Sequence, residues 1–341
     1  MSTYSVNIEG VRLNYEKSGS GAPIILLHAS PMSSASLSPL IQKLDTSYTV
    51  FAIDTPGYGN SERSKIIPDS ITYYSNTLHQ FCSSLEINNA AIYGTATGAQ
   101  IAIRYGLDYP NNVSHLFLDN TAHFTTSERD EIMEAYFPDF SVKEDGSHLP
   151  KIWHTVDNLF KYFPWCFQDE DHKLSLPEMP LPIIDNVVRD YLISGDGYDW
   201  AYRAAFMHED RQHIYKLQVP TTIFRWAGSI LRKYTDRIFD REMAININGV
   251  SIPIENDRYE EMSNRIKNNY SGDDYNSEIN HVQYLSENRW KDISLGKFPE
   301  RKRDGSHWTI AWDKLEHIVD NHLISDVHSR NDLLIYWSAT A

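Results

Sequence analysis

Hydrophobic and polar positions follow two different periods along the first third of the chain. "TYSVNI" and "VRLNYEK" flank Glu9-Gly10, which predicts a two-stranded hairpin. "PIILLH" (23–28), "YTVFAID" (48–54), "AAIYG" (90–94) and "VSHLFLDN" (113–120) are short, almost unbroken apolar runs. That pattern suits strands buried on both faces. Between them, helical patterns lie around 37–44, 70–86 and 97–108. Strands alternating with helices predict an α/β fold whose mostly parallel sheet carries helices on both faces.

From 121 to about 218 the pattern changes. "YFPDF", "KIWHTVDNLFKYFPWCF" and "LPEMPLPIIDN" are aromatic, acidic and broken by prolines, which predicts a mainly helical insertion after the sixth strand. Strand character resumes at "VPTTIFRW" (219–226), so the division expected is a core of 1–120 and 219–341 with a helical unit at 121–218. Further on, Asn-Gly inside "AININGVSIPI" predicts a second hairpin, and "NDRYEEMSNRIKNNYSGDDYNSE" begins as a helix. The stretch "GSHWTIAWDKLEHIVDNHL" reads as a loop and an amphipathic helix, with Trp312, Leu315, Ile318, Val319 and Leu323 roughly on one face.

Composition narrows the function classes. The 341 residues are 41% hydrophobic and 23% charged, the balance of a packed globular chain. A net charge of −15 argues against an electrostatic grip on nucleic acid or an anionic membrane. The expected partner is therefore a small molecule, with the oligomeric state left open. The start "MSTYSVNIEGVRLNYEKSG" has no basic segment followed by an apolar core, and no run approaches 18 apolar residues; a cytoplasmic location is the default expectation. Cys82 and Cys166 make no disulfide framework, and no Cys/His spacing suits zinc. No metal or cofactor is expected.

Four short signals occur in a fixed order. They are "LLHASP" (26–31), "AIDTPGYGNSE" (52–62), "GTATG" (94–98) and "DGSHW" (304–308). Together they resemble landmarks of the α/β-hydrolase superfamily: the turn after the third strand, the turn after the fourth, the nucleophile elbow Gly-x-Ser-x-Gly, and the turn carrying the catalytic histidine. The resemblance covers nearly the whole chain. It implies an α/β-hydrolase fold with a helical cap. One departure is central, because Ala96 stands at the nucleophile position and its methyl group cannot attack a substrate.

The resemblance also implies roles for other residues. Glycines flank the elbow because the turn is tight, and the position after it opens a helix whose N–H groups face a developing oxyanion. The donors implied are the N–H groups of Thr97 and Ser30; the alternative is that both residues only shape turns. His307 is the general-base candidate. His28 more naturally braces its turn, and with Trp153, Tyr162 and Trp165 it is counted among residues around the substrate pocket. The acid is least defined. The position after "VPTTIFRW" falls on Ser229, which cannot serve as a carboxylate. A position after the preceding strand points to Asn120 in register and to Asp119 beside it, and Asp119 is the candidate acid. It could equally be an ordinary strand-end residue.

Three functions fit this pattern. The chain could be a hydrolase for a small, largely apolar ester-, lactone- or amide-like substrate, with Ala96 as an inactive, substrate-trapping replacement of the nucleophile. It could use His307 for non-covalent chemistry of the cofactor-free lyase or oxygenase type. Or it could bind a small ligand without turnover.

Overall fold

The Glu9-Gly10 turn joins β1 (Ser2–Ile8) to β2 (Val11–Ser18) in an antiparallel hairpin. Both turn residues take positive φ, 51° and 83°, as a two-residue hairpin of matching twist requires. The computed structural model describes residues 2–276, together with the backbone of 302–304 and 307–309.

Six further strands extend this hairpin into one sheet. They are β3 (Ala22–Leu27), β4 (Tyr48–Ile53), β5 (Ala90–Thr95), β6 (Val113–Asp119), β7 (Thr221–Trp226) and β8 (Ile247–Ile252). The order is β1-β2-β4-β3-β5-β6-β7-β8. β2 meets β4 antiparallel, and every later pairing is parallel. All residues of β3, β4 and β5 are buried, which explains their unbroken apolar sequences.

Helices cover both faces. On one face lie α2 (Ile71–Ser84) and α3 (Thr97–Asp108), whose Ile71, Leu78, Phe81, Ile101 and Ile103 join Leu27, Ile53 and Ile92 of the sheet. On the other, α1 (Ser38–Leu44) and α10 (Arg258–Asn269) pack over Ile24, Val50, Tyr93 and Phe117. Fully burying one such side chain contributes roughly 1.5–3 kcal/mol, so these two layers dominate the core. Asp257 caps α10 by accepting the N–H groups of Tyr259 and Glu260 at 3.0 and 3.2 Å. Tyr275 then returns to β3, its N–H donating to Gly21 O at 3.0 Å.

One expectation changes here. Asn248-Gly249 does not turn the chain, because Ile247–Ile252 is one strand parallel to β7. The glycine answers a packing demand instead: a Cβ there would lie 2.5 Å from Cε1 of Phe239. Within the 304–308 signal, Asp304 ends β9 (Lys302–Asp304) and His307 begins β10 (His307–Thr309), the two strands antiparallel with His307 opposite Asp304. The side chain of His307 and the helix read across Trp312–Leu323 lie outside the described residues.

Between β6 and β7 the chain forms α4 (Thr126–Ala135), α5 (His148–Leu159), α6 (Leu181–Ser194), α7 (Trp200–His208) and α8 (Arg211–Tyr215). A short helix, α9 (Arg232–Asp236), follows β7. Two apolar clusters organise this insertion. One joins Tyr136, Leu159, Phe163 and Phe206 to Ala122, Phe124, Leu231 and Tyr234 in and after the loops leaving β6 and β7. The other packs α5 on α6 through Ile152, Val156, Ile184 and Val188. Among the described residues no helix is long and apolar enough to cross a membrane.

Candidate active site

β5 ends at Thr95 and α3 begins at Thr97, which leaves Ala96 alone at the turn. Its backbone takes φ 49° and ψ −111°, a region that costs an L-residue of order 1–3 kcal/mol. Hydrogen bonds hold it there. Ala96 N–H donates to Asp119 O at 3.0 Å, Gln100 N–H donates to Ala96 O at 3.1 Å, and Gly98 N–H donates to His28 O at 3.1 Å. The flanking glycines follow from the same closeness. A Cβ on Gly94 would lie 2.3 Å from Gly98 O, and one on Gly98 would lie 2.2 Å from Leu27 O.

The turn after β3 meets this elbow. Ser30 N–H approaches Thr97 Oγ1 at 3.4 Å, so the two residues read as donors are brought together, both buried. His28 is 1% exposed and uses both ring nitrogens on backbone: Nδ1–H donates to Ala29 O and Nε2 accepts Thr55 N–H, each at 2.9 Å. Burial holds its pKa below the usual histidine range, against the pull of Asp54. Asp54 anchors the neighbouring loops by accepting N–H groups of Ser34 at 2.8 Å and Asn60 at 2.9 Å.

Asp119, at the end of β6, is 1% exposed. Its Oδ2 accepts Tyr93 OH at 3.0 Å, Asn120 Nδ2 at 3.2 Å and Thr95 Oγ1 at 3.3 Å, and forms an ion pair with Nη2 of Arg258. Asn120 takes φ 52° and links the elbow to β7. Its Nδ2 donates to Thr95 Oγ1 at 2.9 Å, while its Oδ1 accepts Ser229 Oγ at 2.5 Å. Of the positions to which the resemblance points for an acid, Asn120 and Ser229 therefore hold an amide and a hydroxyl bonded to each other, and Asp119 holds a carboxylate paired with Arg258.

Arg258 was not among the residues singled out from sequence. It opens the helix after the sheet's last strand, with its guanidinium 4.3 Å from the Trp226 ring centre and 5.0 Å from that of Tyr259. The available signal was an Asp-Arg helix start closely following an apolar strand. Asp190 on α6 was missed too. It is half-buried, and burial together with the charge of Asp54 raises its pKa to about 7. The aromatic candidates separate between the two clusters of the insertion. Trp153 joins the α5–α6 group, whereas Trp165 joins the other and donates Nε1–H to Tyr136 O at 3.1 Å. Tyr162 lies in a bridge to Lys173. Among the described residues no group of three His, Cys, Asp or Glu could hold a metal ion.

A strained strand–elbow–helix on a parallel sheet, with a turn from the third strand beside it, defines the class of this site. A family model of the alpha/beta hydrolase fold matches residues 22–330. The chain belongs to that family. The soluble epoxide hydrolase of Corynebacterium sp. (strain C12) is 26% identical over 243 residues, 65% of this chain and 79% of that protein. An uncharacterized protein of Mycobacterium tuberculosis is 29% identical over 111 residues, so the match spans about a third of that relative, 32% of its length. Among solved structures, epoxide hydrolase A from Mycobacterium thermoresistibile aligns with TM-score 0.59 at 19% identity, over 78% of this chain and 97% of the other. The esterase from Exiguobacterium antarcticum gives 0.58 at 17%, over 79% and 98%. At these identities the structural likeness is one of fold.

Proposed function

We propose that this chain binds a small, largely apolar carbonyl compound, ester-, lactone- or amide-like, above Ala96, and acts on it without a covalent intermediate. The substrate oxygen faces the N–H groups of Thr97 and Ser30 at the start of α3, where donors and helix dipole favour negative charge. His307 takes a proton from the carbon beside the carbonyl, and the resulting enolate oxygen is held by the same two donors. The α4–α8 insertion serves as the cap, and its aromatic cluster against Ala122 and Leu231 supports an apolar substrate.

One observation carries this reading. Beside an elbow that lacks a nucleophile, Ser229 and Asn120 are neutral and satisfy each other through a 2.5 Å bond, and the neighbouring Asp119 carboxylate is engaged by Arg258. A second reading, a hydrolase whose nucleophile alone is replaced, draws support from the elbow strain kept at Ala96. Ala96→Ser separates the two. The variant and the unaltered chain are incubated with a series of p-nitrophenyl esters and examined by intact mass. The non-covalent reading expects no acyl adduct in either protein. A stoichiometric adduct on Ala96→Ser, followed by turnover, would overturn it in favour of the second.

A further inference from the structure

Three hydrogen bonds tie one short stretch of the helical insertion to the loops that frame the elbow. Ser194, the last residue of α6, shares its Oγ–H between Asp190 O at 2.9 Å, within the helix, and Pro31 O at 3.2 Å, immediately after Ser30. Arg63, in the loop after β4, donates Nη2 to Ser194 O at 2.5 Å. Tyr58 OH donates to Tyr198 O at 2.8 Å. The Tyr58 ring also meets His28 edge-on at 5.9 Å and 87°, and His28 holds the same turn through Ala29 O and Thr55 N–H. Ser194, Tyr58 and His28 are each at most 1% exposed.

The stretch is shaped around Arg63. A Cβ on Gly197 would lie 2.6 Å from Arg63 Nε and 2.8 Å from its Cζ, so any side chain there would push the guanidinium out of its place. Gly195 ends α6 at φ 56°, a conformation glycine adopts freely. The guanidinium lies 5.2 Å from the Trp200 ring centre, in reach of a cation–π contact. Its Nε is buried without a hydrogen-bond partner. The position of the group is therefore set by the glycine slot, the ring and one hydrogen bond, a fit that suits a planar guanidinium and not an ammonium.

We propose that Arg63 is a positioning residue: gripped by the Gly195–Gly197 slot, it seats the insertion so that Ser194, through Pro31, fixes the backbone of Ser30. This rests on the reading of Ser30 as an oxyanion donor. The insertion and the oxyanion turn then move as one unit. A ligand that draws the insertion down orders the turn, and an anion at the turn favours the seated insertion by the same factor.

Hydrogen exchange on the full chain tests this without any substrate. Segments 28–34 and 194–200 are followed in Arg63→Ala, Gly197→Ala and Ser194→Ala, with β6 as internal reference. Arg63→Ala and Gly197→Ala are each expected to speed exchange about tenfold in both segments, on the scale of one lost hydrogen bond, and to leave β6 unchanged. Arg63→Lys is expected to behave like Arg63→Ala. Ser194→Ala removes the bond to Pro31 together with the one inside α6 to Asp190 O but keeps the Ser194 carbonyl that Arg63 holds, so it should speed exchange at 28–34, and adding Arg63→Ala to it should speed that segment no further. Exchange that rises at 194–200 alone, rises equally in β6, or adds up in the Ser194/Arg63 double variant would overturn the proposal. Those outcomes bear on the seating of the insertion alone, whereas the ester experiment with Ala96→Ser bears on the non-covalent reading alone, so the two failures are distinguishable.

Discussion

Replacing Ala96 by glycine should stabilise this protein, although alanine-to-glycine changes ordinarily do the opposite. Ala96 holds φ 49° and ψ −111°, and an L-residue there stores of order 1–3 kcal/mol. Glycine adopts these angles without steric cost, and at a helix N-cap it is preferred over alanine. Against this, glycine loses roughly 0.5–1 kcal/mol more chain entropy on folding. The balance is a gain of about 1 kcal/mol. Ala99, three residues on in α3 and 0% exposed, supplies the control. There the same swap forfeits about 1 kcal/mol of helix propensity and roughly 0.8 kcal/mol of methyl burial. Urea unfolding of the two variants beside the unaltered chain gives the answer as a pair of midpoint shifts of opposite sign. A destabilised Ala96→Gly, moving in the same direction as Ala99→Gly, would show that the elbow stores no strain and would refute the reasoning.

Two further outcomes follow from buried charge. Arg258→Gln strands the Asp119 carboxylate, 1% exposed, without its cation. About 3–5 kcal/mol of stability should be lost in urea titration, and Asp119→Asn added to Arg258→Gln should recover part of it. A double variant weaker than the single would contradict the pairing. Glu209, after α7, is 5% exposed, and burial, partly offset by Arg129, raises its pKa to about 8. Its folded pKa lies above its unfolded value of 4.5, so the native state favours the protonated form. The stability this contributes is complete below about pH 4.5 and is lost as pH rises toward 8. Glu209→Gln should flatten that decline, by on the order of 3–4 kcal/mol at pH 8; thermal melts from pH 5 to 9 that stay parallel for the two proteins would count against it.

The frame of the molecule is legible in the sequence because its causes are local. An apolar run such as Ala22–Leu27 must be buried on both faces, and Gly94 and Gly98 sit where two backbones nearly touch. The misread and missed features have causes far away in the chain. Gly249 imitates a hairpin turn, yet it is small because Phe239 lies over the strand. Arg258 finds Asp119 across 139 residues, and Ser229 finds Asn120 across 109. No window of sequence contains either pair. Periodicity finds strands, whereas the pairing of strand ends at a site depends on sheet order, here β5-β6-β7 side by side.

That pairing bears on what a restored nucleophile could achieve. An acid–imidazole–nucleophile chain needs a carboxylate free to hold the imidazolium that forms during attack. Asp119 has its Oδ2 filled by three neutral donors and the guanidinium of Arg258, while its buried Oδ1 has no hydrogen-bond partner. A second carboxylate placed at Asn120 would lie on the same short network, one side chain from Asp119, and a single arginine would then face two anions. Like charges that close disfavour ionisation of one of them. The amide and hydroxyl at Asn120 and Ser229 avoid this conflict and still bridge β5, β6 and the loop after β7. Asn120 and Ser229 thus satisfy each other beside the Asp119–Arg258 pair, and a serine at position 96 would have near it one carboxylate oxygen that no hydrogen bond yet occupies, Asp119 Oδ1.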